Sequence, residues 1–300
     1  MNMKRLHYII CLLLFFLSVP QDAVSVNVEN DDLQLQLPMP PSELREPCER
    51  ASWLAEHYWD NLDFAADTSR IAAERFLEQN FSTWADLLNH VADTVSRRIA
   101  ADTLVAKASR NHNSLLRLAD IADDYLYNPQ SPFADEAKYR LWVESLLRSG
   151  SLDATESIRP SIQLEEMNVN PVGGKANDIP LLLTDGSRKK LYSLIDPDRS
   201  TLLFFYDPDC HDCTEAIPAL EAMELSADAP AIIAVCVEGD MSDWETKRAT
   251  MPDEWTHVYA ADILSQSLDE PGPYILPVMP TLYLLSPDGK ILSKNVRLPK

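Results

Sequence analysis

At 300 residues the chain is long enough for two domains behind a targeting segment, and a hydrophobic fraction of 46% supports packed cores. A net charge of −21 repels phosphate backbones and anionic headgroups, so nucleic-acid binding and electrostatic docking on membranes are not expected. Beyond the N-terminus no apolar run approaches the roughly 20 residues that cross a bilayer, so no membrane span is expected in the mature chain. The N-terminus reads as an address. Lys4 and Arg5 precede an apolar run over 8–19, and Ala23-Val24-Ser25 offers small residues for cleavage. This predicts a secretory signal peptide over 1–25; an uncleaved anchor is the alternative, against which the shortness of the run speaks. Residues 26–41 are polar and proline-rich and read as a tether ending in Pro38-Met39-Pro40-Pro41.

Helical patterning occupies 42–168. Pro47 suits a first turn, and Ala51, Leu54, Ala55, Tyr58 and Leu62 follow at helical spacing. Further stripes run through Trp84, Leu87, Leu88, Val91 and Val95, through Leu115, Leu118, Ala119, Ala122 and Leu126, and through Tyr139, Trp142, Val143 and Leu146 before Ser149-Gly150. Segments 71–77 and 99–108 also read as helices. No fixed repeat appears, which excludes a solenoid. Trp53, Tyr58, Trp59, Trp84 and Trp142 are read mainly as core, with a peptide groove as the alternative.

The pattern changes over 169–300. Pro171-Val172-Gly173-Gly174 breaks the helical run, and 179–183, Asp185-Gly186 and 191–194 resemble a hairpin. Residues 201–206 form a buried strand, 213–225 a helix, 231–237 a second buried strand and 242–251 a helix. A short strand over 255–259 and a short helix over 263–268 follow. Residues 281–285, the turn Pro287-Asp288-Gly289-Lys290 and 291–293 close with a hairpin. The expected fold class is therefore α plus α/β, an all-helical domain followed by a βαβ…ββ domain.

Cys210-His211-Asp212-Cys213 opens the helix after the first buried strand. Cysteines three apart in a first turn can close a disulfide, and the first sulfur faces free amides and the positive end of the helix dipole. Cys210 is then the nucleophile and Cys213 the resolving thiol. Half a zinc site is the competing reading, but no second Cys-x-x-Cys or histidine pair at zinc spacing follows; neither a metal nor a cofactor is expected.

Residues from about Pro171 onward resemble the thioredoxin-like domains of the TlpA-like and redoxin class of bacterial cell envelopes. Tyr206 stands where that class has an aromatic before its cysteines. Pro280, in Met279-Pro280-Thr281, matches its cis-proline, which implies a substrate edge beside the dithiol. The whole mature chain is similar to exported proteins of Gram-negative anaerobes in which a helical domain precedes such a fold. The resemblance implies a periplasmic or envelope protein that exchanges disulfides with protein partners and is supplied by an upstream electron donor. It also marks departures. The buried acid expected six residues before the first cysteine is Phe204, and Asp209 and Asp212 replace the usual Trp and Pro. Asp207, Asp209 and Asp212 should oppose the Cys210 thiolate and make the pair reducing, with His211 offsetting this when protonated. Weak or absent turnover, leaving a binding or assembly module, is the alternative.

Cys236 lies in an apolar run and reads as a buried small hydrophobe, Cys48 as a bystander thiol in a first turn. Glu238, Asp240 and Asp243 read as a solvated loop, with proximity to the dithiol as the alternative.

Overall fold

The computed structural model describes residues 34–72, 75–224, 229–261 and 271–298. The expected signal peptide, the tether up to residue 33 and the helix expected over 263–268 lie outside them. Among the described residues no helix is long and apolar enough to cross a membrane.

The first half is helical: α1 (Pro47–His57), α2 (Thr68–Ala72), α3 (Phe76–Leu87), α4 (Thr94–Ala108), α5 (His112–Ala122), α6 (Glu136–Arg148) and α7 (Ile158–Asn168). Their apolar stripes converge on one core containing Trp59, Phe76, Phe81, Trp84, Leu104, Leu118 and Trp142. Pro47 stands in the first turn of α1 as expected. Two stripes are broken where polar residues intervene. The helix expected over 71–77 is interrupted at Arg75, which adopts φ 67°. The stripe from Trp84 to Val95 is split because Asp93 accepts the Ser96 N–H at 2.9 Å and starts α4 afresh, leaving Val95 exposed. Residues 34–36 are also more than a tether. Leu35 is buried in the helical core, its N–H donates to Asn80 Oδ1 at 3.0 Å, and Asn61 Nδ2 donates to the Gln36 carbonyl at 2.7 Å.

The second half is a mixed sheet of β1 (Pro180–Leu183), β2 (Arg188–Lys190), β3 (Thr201–Tyr206), β4 (Ala231–Cys236), β5 (Thr256–Tyr259), β6 (Thr281–Leu285) and β7 (Ile291–Lys294), with α8 (His211–Glu224) and α9 (Met241–Arg248). The strand order is β2-β1-β5-β4-β3-β6-β7. β3, β4 and β5 run parallel, while β6 and β7 close one side antiparallel and β1 and β2 the other. β3 is buried along its whole length because it serves two cores. Leu203 and Phe205 join one cluster; Leu202, Phe204 and Tyr206 join the other, beneath α8 and α9. The second arm of the first hairpin lies earlier than expected. Residues 191–193 form a 3-10 turn, and the partner of β1 is Arg188-Lys189-Lys190, an exposed edge strand with no apolar pattern to reveal it.

The connector between the halves is part of the sheet. Gly173 N–H donates to the Ile291 carbonyl at 2.8 Å, Ile291 N–H to the Gly174 carbonyl at 2.8 Å, and Ala176 N–H to the Gly289 carbonyl at 2.9 Å. Gly173 sits at φ 84°, and a Cβ on Gly174 would lie 3.0 Å from both Pro171 Cγ and its carbonyl oxygen, so glycine is required at this pair. Lys294 seals the junction. Its side chain is 7% exposed and its Nζ lies 2.6 Å from Glu136 Oε2 on α6. Removing only the acid strands a desolvated ammonium. Glu136→Gln is therefore expected to lower unfolding stability by about 1–3 kcal/mol, and the Glu136→Leu, Lys294→Met pair to recover most of it. Urea melts of the three chains check this; equal midpoints for Glu136→Gln and wild type would contradict a desolvated pair.

Candidate redox site

β3 ends at Tyr206 and a tight turn leads into α8. Asp207 Oδ1 accepts the Asp209 N–H at 2.9 Å, and the Asp207 carbonyl accepts the Cys210 N–H at 3.1 Å, so the turn is fixed by its own first residue. Cys210 and Cys213 are joined as a disulfide across the first turn of α8, their Cα atoms 5.2 Å apart. The Cys213 N–H donates to Cys210 Sγ at 3.0 Å, so an unpaired amide of the helix start is aimed at the first sulfur. Cys210 is half-buried, whereas Cys213 is fully buried among Phe204, Tyr206, Cys236 and Trp244. A partner can reach the first sulfur and not the second.

The Met279–Pro280 peptide is cis. Met279 packs against both apolar clusters of the sheet, one of which also takes Cys210. Thr281 is buried, and its hydroxyl donates to the Val278 carbonyl, closing the loop internally. It shapes the loop and does not present a side chain to a partner.

Asp209 and Asp212 are exposed on the rim. His211 is 81% exposed, and its Nε2 lies 3.2 Å from Glu215 Oε1 one turn along α8. The imidazole therefore pairs along the helix surface. Phe204, at the position of the expected acid, stacks on Tyr206 with ring centroids 5.4 Å apart and meets Trp255 edge-on at 6.1 Å. That position is a closed aromatic pack without a proton-accepting group.

The second acidic loop does come near. β3 and β4 pair in parallel with Tyr206 opposite Cys236, which brings their following loops together. A Cβ on Gly239 would lie 3.3 Å from Pro208 Cγ and 3.2 Å from Asp243 Cβ, and Gly239 has φ 75°. Asp240 caps α9 by accepting the N–H groups of Ser242 (2.8 Å) and Asp243 (3.0 Å), and Asp243 Oδ2 accepts the Asp240 N–H at 3.0 Å. Glu238, Asp240 and Asp243 are exposed, as the solvated reading expects, on a segment that meets the turn before Cys210 at Gly239 and Pro208. Sequence reasoning passed over Lys247 altogether; from α9 it donates to Thr214 Oγ1, on the first turns of α8.

Cys236 is buried, its S–H donates to the Glu238 carbonyl at 3.2 Å, and burial pushes the thiol up to about 11. Because the folded value is raised, its contribution to stability is full below the ordinary thiol value of about 8.5 and is lost as pH rises through about 11. Cys48 is exposed on α1. At about pH 8 iodoacetamide is expected to label Cys48 in the native chain and leave Cys236 unlabelled, as read by peptide mass spectrometry. Equal labelling of the two would contradict the burial.

The family model described as a domain of unknown function, DUF5106, matches residues 18–170. The crystal structure of a thioredoxin-like protein from Bacteroides caccae is 30% identical, with 87% of this chain and 94% of that chain covered and a TM-score of 0.77. The C-terminal domain of an uncharacterized protein from Bacteroides fragilis is 29% identical, covering 43% of this chain and 92% of that one at a TM-score of 0.38. The thioredoxin domain of a thiol-disulfide oxidoreductase from Bacteroides vulgatus is 22% identical, covering 42% and 89% at a TM-score of 0.36. No curated protein matches the chain. Since the domain model spans about half of the sequence and the Bacteroides caccae protein follows most of its length, the chain belongs to the family that carries a DUF5106 domain ahead of a thioredoxin-like fold.

Proposed function

We propose that the chain is an exported thiol–disulfide oxidoreductase working in the reducing direction on protein disulfides of the periplasm or cell envelope. The observation that carries this reading is the asymmetry of the dithiol, with Cys210 reachable at a helix start and Cys213 buried behind it. The Cys210 thiolate attacks one sulfur of a partner disulfide, that S–S bond breaks, and one partner thiolate leaves while a mixed disulfide forms. Cys213, having lost its proton, then attacks Cys210 Sγ. The second partner thiolate leaves and the Cys210–Cys213 disulfide remains. Two electrons have passed to the partner, and an upstream dithiol donor returns them.

In this reading Met279 and Pro280, with Thr281 holding the loop, form the edge against which the partner lies. The reducing direction is supported by the carboxylates of Asp207, Asp209 and Asp212, which disfavour the thiolate and with it the reduced form; Tyr206 and His211 modulate the pair from below and from the rim. Export rests on segment 1–25. The units 26–41, 42–168 and 169–300 serve as tether, partner-selecting helical domain and redox domain. Phe204 favours one second reading, a non-enzymatic binding or assembly module of the envelope that keeps the fold and hardly turns over.

Insulin reduction by the mature chain with dithiothreitol as donor separates the two. A rate well above dithiothreitol alone is expected; a rate equal to it selects the module. A glutathione titration giving a potential above about −150 mV, the range of strong oxidants, would sink the reducing direction.

A further inference from the structure

The carboxylates around Cys210 are met by a cation that no motif announces. Lys247, on the last turn of α9, donates to Thr214 Oγ1, and that hydroxyl donates to the Cys210 carbonyl at 3.2 Å. Thr214 follows Cys210 by four residues, so about one helical turn of 5.4 Å separates them on the same side of α8. We propose that Lys247 is a positioning residue of the dithiol: held by Thr214 one turn behind Cys210, its ammonium supports the Cys210 thiolate against the acidic rim. This rests on Cys210 being the attacking sulfur.

Most of the other charged groups near the site are acidic. From α8 and its leading turn come Asp207, Asp209, Asp212 and Glu215, and His211 is already paired with Glu215. From the loop after β4 and from α9 come Glu238, Asp240 and Asp243, the last two engaged in capping. Arg248, the neighbouring cation on α9, has its guanidinium carbon 5.9 Å from the Trp244 ring centroid and acts on Tyr206 in the cluster beneath the dithiol, whereas Lys247 reaches the start of α8. The Val278-Met279-Pro280 loop contributes no charge. Lys247 is half-buried while its bond to Thr214 lies in the open, so its field on the helix start is screened by salt. A thiolate destabilised by carboxylates on several sides is scarce at neutral pH, and a nearby ammonium raises its population without changing the sulfur chemistry.

The test reads Cys210 directly. The reduced mature chain is alkylated with iodoacetamide across roughly pH 5 to 10, and the rate at Cys210 is followed by peptide mass spectrometry. Lys247→Gln is expected to raise the midpoint of this profile by about half a unit, roughly threefold slower labelling near neutrality. Lys247→Arg restores the wild-type midpoint. Thr214→Val, which unhooks the ammonium from the other side, moves it in the same direction by less. Both shifts shrink in about 1 M NaCl, where the screening length is near 3 Å. Coincident midpoints for wild type, Lys247→Gln and Thr214→Val overturn the proposal, as does a failure of arginine to rescue. Because alkylation needs no disulfide partner, a chain that shows the shift but fails to reduce insulin loses the proposed activity and keeps the role of Lys247. A chain that reduces insulin without the shift does the reverse.

Discussion

Serine at Cys210 is expected to cut insulin reduction by at least about a hundredfold, to the level of free dithiothreitol, because the reachable sulfur of the dithiol is gone. Serine at Cys213 has a different signature. Attack by Cys210 proceeds, the partner's first thiolate leaves, and nothing buried behind Cys210 can break the mixed disulfide. The product is a stable adduct that dithiothreitol releases, visible as a mass increase on the Cys210 peptide. Serine is close to cysteine in size but brings a hydroxyl into an apolar cluster, so the urea midpoint of the variant is read beside the adduct to separate loss of resolution from loss of fold. Adducts found on Cys48, or activity surviving in Cys210→Ser, would remove Cys210 from the nucleophile role. A Cys213→Ser adduct that decays unaided would point to Cys236, which shares the same apolar cluster, as a stand-in resolver.

The second large effect is selection by charge. Asp207, Asp209 and Asp212 flank Cys210 in the sequence, and the segment carrying Glu238, Asp240 and Asp243 meets the turn before it at Pro208, on a chain of net charge −21. A cationic disulfide such as cystamine is expected to be reduced at least about tenfold faster than dianionic dithiodipropionate at low ionic strength, after dividing by the same ratio for dithiothreitol. The preference should fade as salt rises toward about 0.5 M. The double variant Asp209→Asn, Asp212→Asn should narrow it, since both side chains are exposed and hold no structural bond at the turn. A ratio near that of dithiothreitol at every salt concentration would show that the rim does not steer the partner.

Much of this site is legible in the sequence because its signals are local. The unbroken apolar run of β3 reflects a strand buried on both faces, and the following Cys-x-x-Cys can only open a helix there. The Met-Pro-Thr before β6 marks the cis turn. What stays hidden depends on partners distant in the chain. Leu35 looks like tether until Asn80 accepts its N–H. Arg188-Lys189-Lys190 has no alternation because an edge strand in this position faces water, so its hairpin partner is misread as the apolar residues that follow. The meeting of the Gly239 loop with Pro208 follows from parallel register, which no local pattern encodes. Lys247 is one lysine on a polar helix, and only the packing of α9 beside α8 gives it a place.

The stitched connector has a consequence for how such a protein meets unfolded chains. A sheet with open margins is a template on which any extended polypeptide can add a strand. Here both margins are occupied by different means. At the start of β7 the backbone of the connector takes the hydrogen bonds of Ile291 that an intruding strand would need. Along β2 the strand is short and carries Arg188, Lys189 and Lys190, whose charge resists stacking of another segment. Under the proposed function an unfolded visitor is thereby turned away from these margins, and the Met279–Pro280 loop is the edge offered to it instead.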